Sequence, residues 1–537
     1  MMQTPLLLTQ MMDRAEKYFP KKKVISRTES GVQSFTYKEI VERTRRLASA
    51  LHQLGVQKGD KIGTLAWNHH RHLEAYFAVP CSGAVLHTIN FRLSPEHIIY
   101  IINHAEDRFL LVDADLVPLL EKIKDKLRNV KGYIIMTDQE KVETSLSPVY
   151  FYEDLLTDGD PTYSFIEDLD ENTPAGLCYT SATTGNPKGV IYSHRGIFLH
   201  SMALGLADTV GMSEKDIAMA VVPMFHVNAW GMPFASMWFG TTQVLPGPYF
   251  TPKLLAELIQ EYKVTLTAGV PTIWLGLLKE IEENPYDLSS LRGVLCGGSA
   301  APRSMIEAFE QKYNIPFLHA YGMTETSPMA LISVSNSSQE SLSMEERMDI
   351  KAKQGMLVPG LDMKIVGKDG EVKWDGKEMG ELALRGPWIA SEYYNDDRTG
   401  DAFRDGWLYT GDVVTIDEQG YIKIVDRTKD LIKSGGEWIS SVDLENSLMA
   451  HEAVFEAAVV AIPHEQWQER PIACVVLKDG YQDSVCKETL MEFLRPQFAK
   501  WWLPDDILFM KEIPKTSVGK FLKRALRDQV KNHLNKV

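Results

Sequence analysis

Helix-like and strand-like segments alternate over most of the first 330 residues, a pattern that leaves few folds open. Thr36 and Glu39 are spaced as a capping box before an apolar-periodic run to Leu54, and Gly55 is placed as a stop. Residues 62–67 read as a buried strand, 70–83 as a helix and 83–89 as a strand. Ser94 as N-cap and Pro95 at the first position open a second helix, and residues 108–113 close the series as a strand. Strand-like runs at 262–271, 291–300 and 315–322 repeat the pattern and end in loops. The order predicts an α/β fold with parallel sheets covered by helices, whose carboxyl-end loops are where ligands bind. Residues 333–354 are polar and read as an excursion with a short helix. Beyond 355 the signal turns β-rich with glycine turns, and the last 110 or so residues restart with helix, strand, strand and helix. The chain therefore divides into a large domain (1–425), a charged linker (426–431) and a small α+β domain (432–537).

Charge narrows the function. Lys and Arg number 57 against 72 Asp and Glu, a net charge of −15. That argues against nucleic acid as a partner, because phosphate backbones need a basic field. It leaves room for a small anionic ligand, which needs only a local nest of donors. The 5 cysteines are scattered, odd in number and without a CxxC pair. A disulfide framework or zinc site is not expected, and a reducing, cytoplasmic setting is the natural reading. No targeting signal and no run of the roughly 20 apolar residues needed to span a bilayer is visible. His69, His70 and His72 lack cysteine or carboxylate partners in register and read as structural.

The sharpest segment is Tyr179-Thr180-Ser181-Ala182-Thr183-Thr184-Gly185-Asn186-Pro187-Lys188-Gly189, after a strand-like run. Hydroxyls, glycines and a lysine in one loop can offer N–H groups, O–H groups and a cation to a polyphosphate. No GK[ST] follows the glycine, so this is not a Walker A loop.

This loop resembles the phosphate-binding signature of the adenylate-forming (AMP-binding) superfamily, and further motifs follow in that family's order. Pro223–Trp230 resembles its acyl-pocket motif, Gly297–Pro302 its adenine-flanking loop and Tyr321–Glu325 its adenine and magnesium motif. Tyr409–Asp412 resembles the ribose motif, Asp426-Arg427 with Lys433–Trp438 the hinge and thiol-acceptor motif, and Pro514–Lys520 the motif with a catalytic lysine. The likeness covers nearly the whole chain and is strongest to the long-chain fatty acyl-CoA synthetase branch.

The resemblance implies a fold and a set of roles. The fold is a large multi-subdomain domain with parallel-rich sheets and a small β-barrel-like region, followed by a mobile lid. Thr180, Ser181, Thr183, Thr184, Gly185 and Lys188 would hold ATP phosphates. Gly298, Ser299, His319, Ala320, Tyr321, Gly322 and Thr324 would surround adenine, Asp412 would bind ribose, and Arg427 would offer its fork to ribose or phosphate oxygens. Lys429, Lys433 and Trp438 would be further nucleotide contacts. Glu325 with Thr180 would hold Mg²⁺, since hard cations take oxygen ligands. Lys520, Glu325 and Lys433 would be catalytic. His226, Val227, Trp230 and Gly298 would form the acyl site with Trp230 as its gate, Gly435, Gly436 and Glu437 would meet coenzyme A, and Asp426 would be the hinge. The implied reaction makes acyl-CoA, AMP and pyrophosphate from a fatty acid, ATP and CoA, in a homodimer that can touch a membrane peripherally. Two alternatives stay open: a CoA ligase of an aryl or short-chain acid, and an acyl- or nucleotide-binding protein of low activity. Ala182 and Ala320 stand where many relatives carry glycine, and either change would slow the first step.

Overall fold

The computed structural model describes residues 1–180, 185–435, 437–517 and 519–534. A seven-stranded sheet runs in the order Val149–Phe151, Gly132–Met136, Asp107–Asp113, Lys61–Leu65, Val85–Thr88, Pro174–Tyr179, Gly189–Ser193. All its pairs are parallel except the last, a hairpin whose connection carries the hydroxyl-rich loop. The expected capping box is present: Thr36 accepts from the Glu39 N–H and Glu39 accepts from the Thr36 N–H, opening the helix Tyr37–Gln53. Ser94 accepts from the His97 N–H to start Pro95–Ala105.

A nine-stranded sheet stands beside it. Its centre is parallel, from Phe317–Gly322 through Gly293–Cys296, Leu266–Gly269, Ile217–Ala220 and Thr242–Leu245 to Lys23–Thr28. Both of its edges are antiparallel: Met329–Ser333 and Met356–Leu357 on one side, Gly31–Thr36 on the other. One apolar core joins helices of both sheets, from Leu8, Met11 and Met12 through Tyr76 and Phe77 to Phe234. The excursion holds the helix Met344–Lys351, opened by a capping box of Ser343 and Glu346.

A six-stranded antiparallel sheet follows, with Trp407–Ile416 paired to Gly380–Arg385, Phe403–Arg404 and Ile422–Arg427. The chain leaves it after Arg427. The remaining residues build a five-stranded sheet around the long hairpin Val454–His464 and Gln468–Leu477, with helices Ser441–Met449, Lys487–Leu494 and Lys523–Leu534. No helix among the described residues is long and apolar enough to cross a membrane.

The three histidines have separate partners, and for His69 that partner is a carboxylate from outside its helix. His69 caps the helix His70–Cys81 and meets Asp113 at 2.8 Å, His70 meets Ser26 at 2.9 Å, and His72 meets Thr64 at 3.0 Å.

Candidate active site

A cavity of about 380 Å³ opens where the two large sheets and the six-stranded sheet meet the C-terminal unit. Thr180 and Lys188 reach it from the hairpin loop, Tyr321 through Glu325 from the end of Phe317–Gly322, and Arg427 and Lys429 from the chain leaving the third sheet. Lys520 enters from the C-terminal unit. A second cavity of about 300 Å³ shares the wall formed by Gly298, Ala320 to Met323, Arg427, Lys429 and Lys520, and adds Ser299 and Asp412. Most of the residues predicted for a nucleotide thus converge from segments up to 340 positions apart in the chain.

Asp412 owes its place to a bulge. Gly411 is left-handed (φ 72°), and the pairing of Trp407–Ile416 with Gly380–Arg385 slips beside it. Bulges of this kind re-aim side chains next to functional sites. Thr410, Gly411 and Asp412 thus lie in a bulged strand. Tyr321 donates to Asp412 Oδ2 at 2.5 Å, and Arg427 Nε lies 3.3 Å from Oδ1. Burial, reinforced by Asp412, pushes the Tyr321 phenol well above its ordinary range, so it stays a donor. Gly322 must be glycine here, because a Cβ would fall 1.9 Å from the Pro328 carbonyl oxygen.

At the polar end of the cavity Glu325 is buried. Its Oε1 accepts from the Tyr393 hydroxyl at 2.6 Å. Thr180 and Lys188 close the base of the hairpin loop: Thr180 N–H donates to the Lys188 carbonyl at 2.9 Å, and Lys188 N–H to Thr180 Oγ1 at 3.1 Å. The Glu325 carboxylate and the Thr180 hydroxyl, both lining this cavity, are hard oxygen donors, and no cluster of three metal-ligating side chains occurs among the described residues. Such a set suits Mg²⁺ that takes most of its ligands from water and substrate phosphates. Gly185 is left-handed (φ 69°). Ser181, Ala182, Thr183, Thr184 and Gly436 lie outside the described residues, as does the Glu437 side chain.

Lys520 is carried by a loop docked on the large unit. Ser517 Oγ accepts from Asn90 Nδ2 at 2.9 Å. A Cβ on Gly519 would lie 3.1 Å from Thr272 Oγ1, and one on Gly298 would lie 3.3 Å from Lys520 Cε. Both glycines therefore permit the close approach. Burial first, and Arg427 second, bring the Lys520 ammonium down to about 8, while Asp412 and Glu325 act in the opposite sense. Asp426 is buried and holds the C-terminal unit in this docked position: its Oδ2 accepts from the Ser441 N–H at 3.1 Å and from the Ser441 hydroxyl. Lys523 joins the same network through Glu445 at 2.7 Å.

The apolar end is built on unusual backbone. Val227, Asn228, Ala229 and Trp230 all have φ between 46° and 57°, one left-handed turn without a glycine. Each such residue costs roughly 1–2 kcal/mol, a strain that persists only where surrounding structure over-determines it. The turn points Trp230 at Gly297, where a Cβ would sit 3.3 Å from the indole. His226 and Val227 line the cavity beside Leu204, Leu295 and Met329. Burial, helped by Lys520, lowers His226 to about 3, so its imidazole is neutral.

Several predicted residues stand elsewhere. His319 lies behind the Gly297–Pro302 loop: its Nε2 accepts from the Ala301 N–H at 3.2 Å, and its Nδ1 donates to the Ala352 carbonyl at 3.1 Å. Lys433, Gly435 and Trp438 lie on a hairpin of the C-terminal unit, exposed and away from both cavities. The Lys433 ammonium sits 4.9 Å from the Trp438 ring, and Gly435 packs against Trp467. The sequence reading omitted Tyr393 and Arg398. The segment Glu392-Tyr393-Tyr394-Asn395 shows no charge or spacing pattern that marks it, and only the fold brings it to the loop.

The model of the AMP-binding enzyme family matches residues 12–394, and that of the AMP-binding enzyme C-terminal domain matches 443–520. The chain is 49% identical to a long-chain-fatty-acid–CoA ligase of Thermus thermophilus, covering 99% of this chain and 97% of that one. It is 44% identical to a 3-methylmercaptopropionyl-CoA ligase of Ruegeria lacuscaerulensis, covering 99% of both. It is 41% identical to a medium-chain-fatty-acid–CoA ligase of Ectopseudomonas oleovorans, covering 98% and 97%. Among solved structures, o-succinylbenzoate CoA synthetase of Bacillus subtilis, with its acyl-adenylate bound, superposes with a TM-score of 0.79 at 26% identity over 98% of this chain and 99% of that one. An anthranilate CoA ligase with anthranoyl-AMP shares the fold at a TM-score of 0.88 and 24% identity, over 99% of each chain. With both family models matched along the chain and the motif residues gathered around shared cavities, the chain belongs to the AMP-binding enzyme family.

Proposed function

We propose that this chain is an AMP-forming acid–thiol ligase that activates a medium- to long-chain fatty acid and passes it to coenzyme A. The observation that carries the reading is one cavity with two chemically distinct ends. Glu325, Lys188, Arg427 and Lys520 line its polar side, and Val227, Trp230, Leu204 and Leu295 its apolar side. In the first step a carboxylate oxygen attacks the α-phosphorus of ATP and the bond to the pyrophosphate oxygen breaks. Positioning and charge neutralisation supply most of the catalysis in such a transfer. Asp412 accepts from ribose hydroxyls, Tyr321 offers a face to adenine, and Lys520 neutralises charge where carboxylate and α-phosphate meet. Glu325 and Thr180 would hold Mg²⁺, which when bound would supply neutralisation of phosphate charge. In the second step the thiol of CoA attacks the acyl carbon and AMP leaves. Lys433, Gly435 and Trp438 serve that step, which requires the unit beyond Arg427 to turn its other face inward about Asp426.

A second reading, a shorter acid, has one observation in its favour. Trp230 closes against Gly297, and about 380 Å³ must take acid and part of the nucleotide together. A long tail requires Trp230 to move. Acids from two to eighteen carbons, with 3-(methylthio)propionate, assayed for pyrophosphate release and then thioester formation, separate the readings. A maximum at eight carbons or more supports the proposal, and a maximum at the short thioether acid replaces it. No acid-dependent pyrophosphate release at any length overturns both.

A further inference from the structure

The loop after Gly380–Arg385 belongs to none of the motifs that define the nucleotide site, yet it grips both loops of the polar end. Ala390 N–H donates to the Glu325 carbonyl at 2.8 Å, and Tyr394 N–H donates to the Gly189 carbonyl at 2.8 Å. Arg398 Nη1 donates to the Asn186 carbonyl at 3.1 Å. Between these anchors Tyr393 lines the main cavity while only 4% exposed. Its two chemical parts have different partners. The hydroxyl donates to Glu325 Oε1 at 2.6 Å, and the Lys188 ammonium stands 4.1 Å from the ring centroid. The ring is itself fixed, edge-on to Phe403 with centroids 5.1 Å apart, and the Tyr393 N–H donates to Thr399 Oγ1 at 3.1 Å.

An ionised carboxylate only accepts, so the phenol proton points at Oε1. This bond fixes the rotation of the carboxylate and leaves Oε2 as the oxygen that Tyr393 does not engage. The ring face, for its part, attracts a cation and limits where the Lys188 ammonium can stand.

We infer that Tyr393 is a positioning residue that sets the cation site through its hydroxyl and Glu325, and the polyphosphate site through its ring and Lys188. The inference rests on the reading of this cavity as a nucleotide site. Its two halves are separable by chemistry, because phenylalanine keeps the ring and removes only the hydroxyl.

The test is ATP binding to the full chain by calorimetry, with and without Mg²⁺, which needs no turnover. Tyr393→Phe is expected to bind Mg²⁺-free ATP within about twofold of the parent and to lose about tenfold of the tightening that Mg²⁺ gives, the scale for an outer-shell partner of a metal ligand. Tyr393→Leu is expected to lose a further two- to fivefold without Mg²⁺, and that further loss should vanish when Lys188→Met is already present. If the leucine variant does not fold, the phenylalanine variant and Lys188→Met decide alone: the first must shift only the Mg²⁺-dependent part and the second must shift Mg²⁺-free binding. An unchanged Mg²⁺ effect in Tyr393→Phe, or an equal loss with and without Mg²⁺, overturns the inference. A parent chain that binds no ATP overturns the nucleotide-site reading and this inference with it. A parent that binds ATP, with variants that do not differ from it, overturns this inference alone.

Discussion

Lys520 offers the most demanding test of the two-step chemistry. A unit charge about 4 Å from a phosphate oxygen at an effective dielectric near 20 is worth about 4 kcal/mol. Mutational losses at comparable electrostatic stabilisers run on the order of 10²–10³ in rate. Lys520→Ala is therefore expected to lose 10²–10³ in acid-dependent pyrophosphate release. With supplied acyl-adenylate and CoA, a thiol attacks a carbonyl carbon and no carboxylate has to approach the α-phosphate, so thioester formation should stay near the parent rate. Titration gives a second signature. With the ammonium at about 8 in the free protein, Lys520 is charged below that pH and neutral above it. kcat/KM for the first step, which reports the free enzyme, should then fall above about pH 8, and Lys520→Arg should remove that fall because arginine stays charged. The stability sign is the reverse. An unfolded lysine keeps its proton to about 10.5, so between about 8 and 10.5 the unfolded chain binds more protons and this group makes stability rise with pH. Lys520→Met should flatten that rise. The assays are pyrophosphate release, thioester formation and thermal melts on one folded preparation. Equal losses in both half-reactions would mean that Lys520 only shapes its loop, and the electrostatic reasoning would fail.

Glu325→Gln keeps an acceptor for Tyr393 but removes the charge; pyrophosphate release should fall at least a hundredfold at limiting Mg²⁺, and near-parent turnover there would withdraw the cation assignment. Trp230→Ala should move the chain-length maximum of the acid panel while leaving the KM for ATP within about twofold, and an unchanged acid profile counts against a gate. Lys523→Ala leaves the buried Glu445 without its 2.7 Å partner. A loss of about 3–5 kcal/mol is expected for such a break, read in a denaturant melt, with the first half-reaction falling more than the second. A melt unchanged within about 0.5 kcal/mol would show that the network does not hold the docked position.

The fold was legible where local chemistry decides it. Thr36 with Glu39 and Ser94 with Pro95 announce their helices, and the parallel strands follow as apolar runs ending in loops. The motif residues could be named in advance because hydroxyls, glycines and charges are unusual company for one another. What the sequence hides is long-range. His319 stands two residues before a motif and Lys433 inside one, yet one is turned behind the Gly297–Pro302 loop to hold Ala301 and the other sits on an exposed hairpin. Tyr393 acquires its partners only when three loops meet. The left-handed turn at Val227–Trp230 contains no glycine, so no residue there advertises it.

The strand Lys23–Thr28 has a consequence for how the chain is made. Its parallel partner, Thr242–Leu245, leaves the ribosome more than 200 residues later, with Val24 opposite Gln243. At about 5–20 residues per second that interval is roughly 10–45 s. The outer strand Gly31–Thr36 can cover one side at once, because the two form a hairpin. The other side waits as an open edge, the kind of surface that pairs with foreign chains. The sheet and its core cannot close around an N-terminal portion alone, since Leu8 and Met11 share that core with Ala218 and Leu245. Truncations released before about residue 245 should therefore be aggregation-prone.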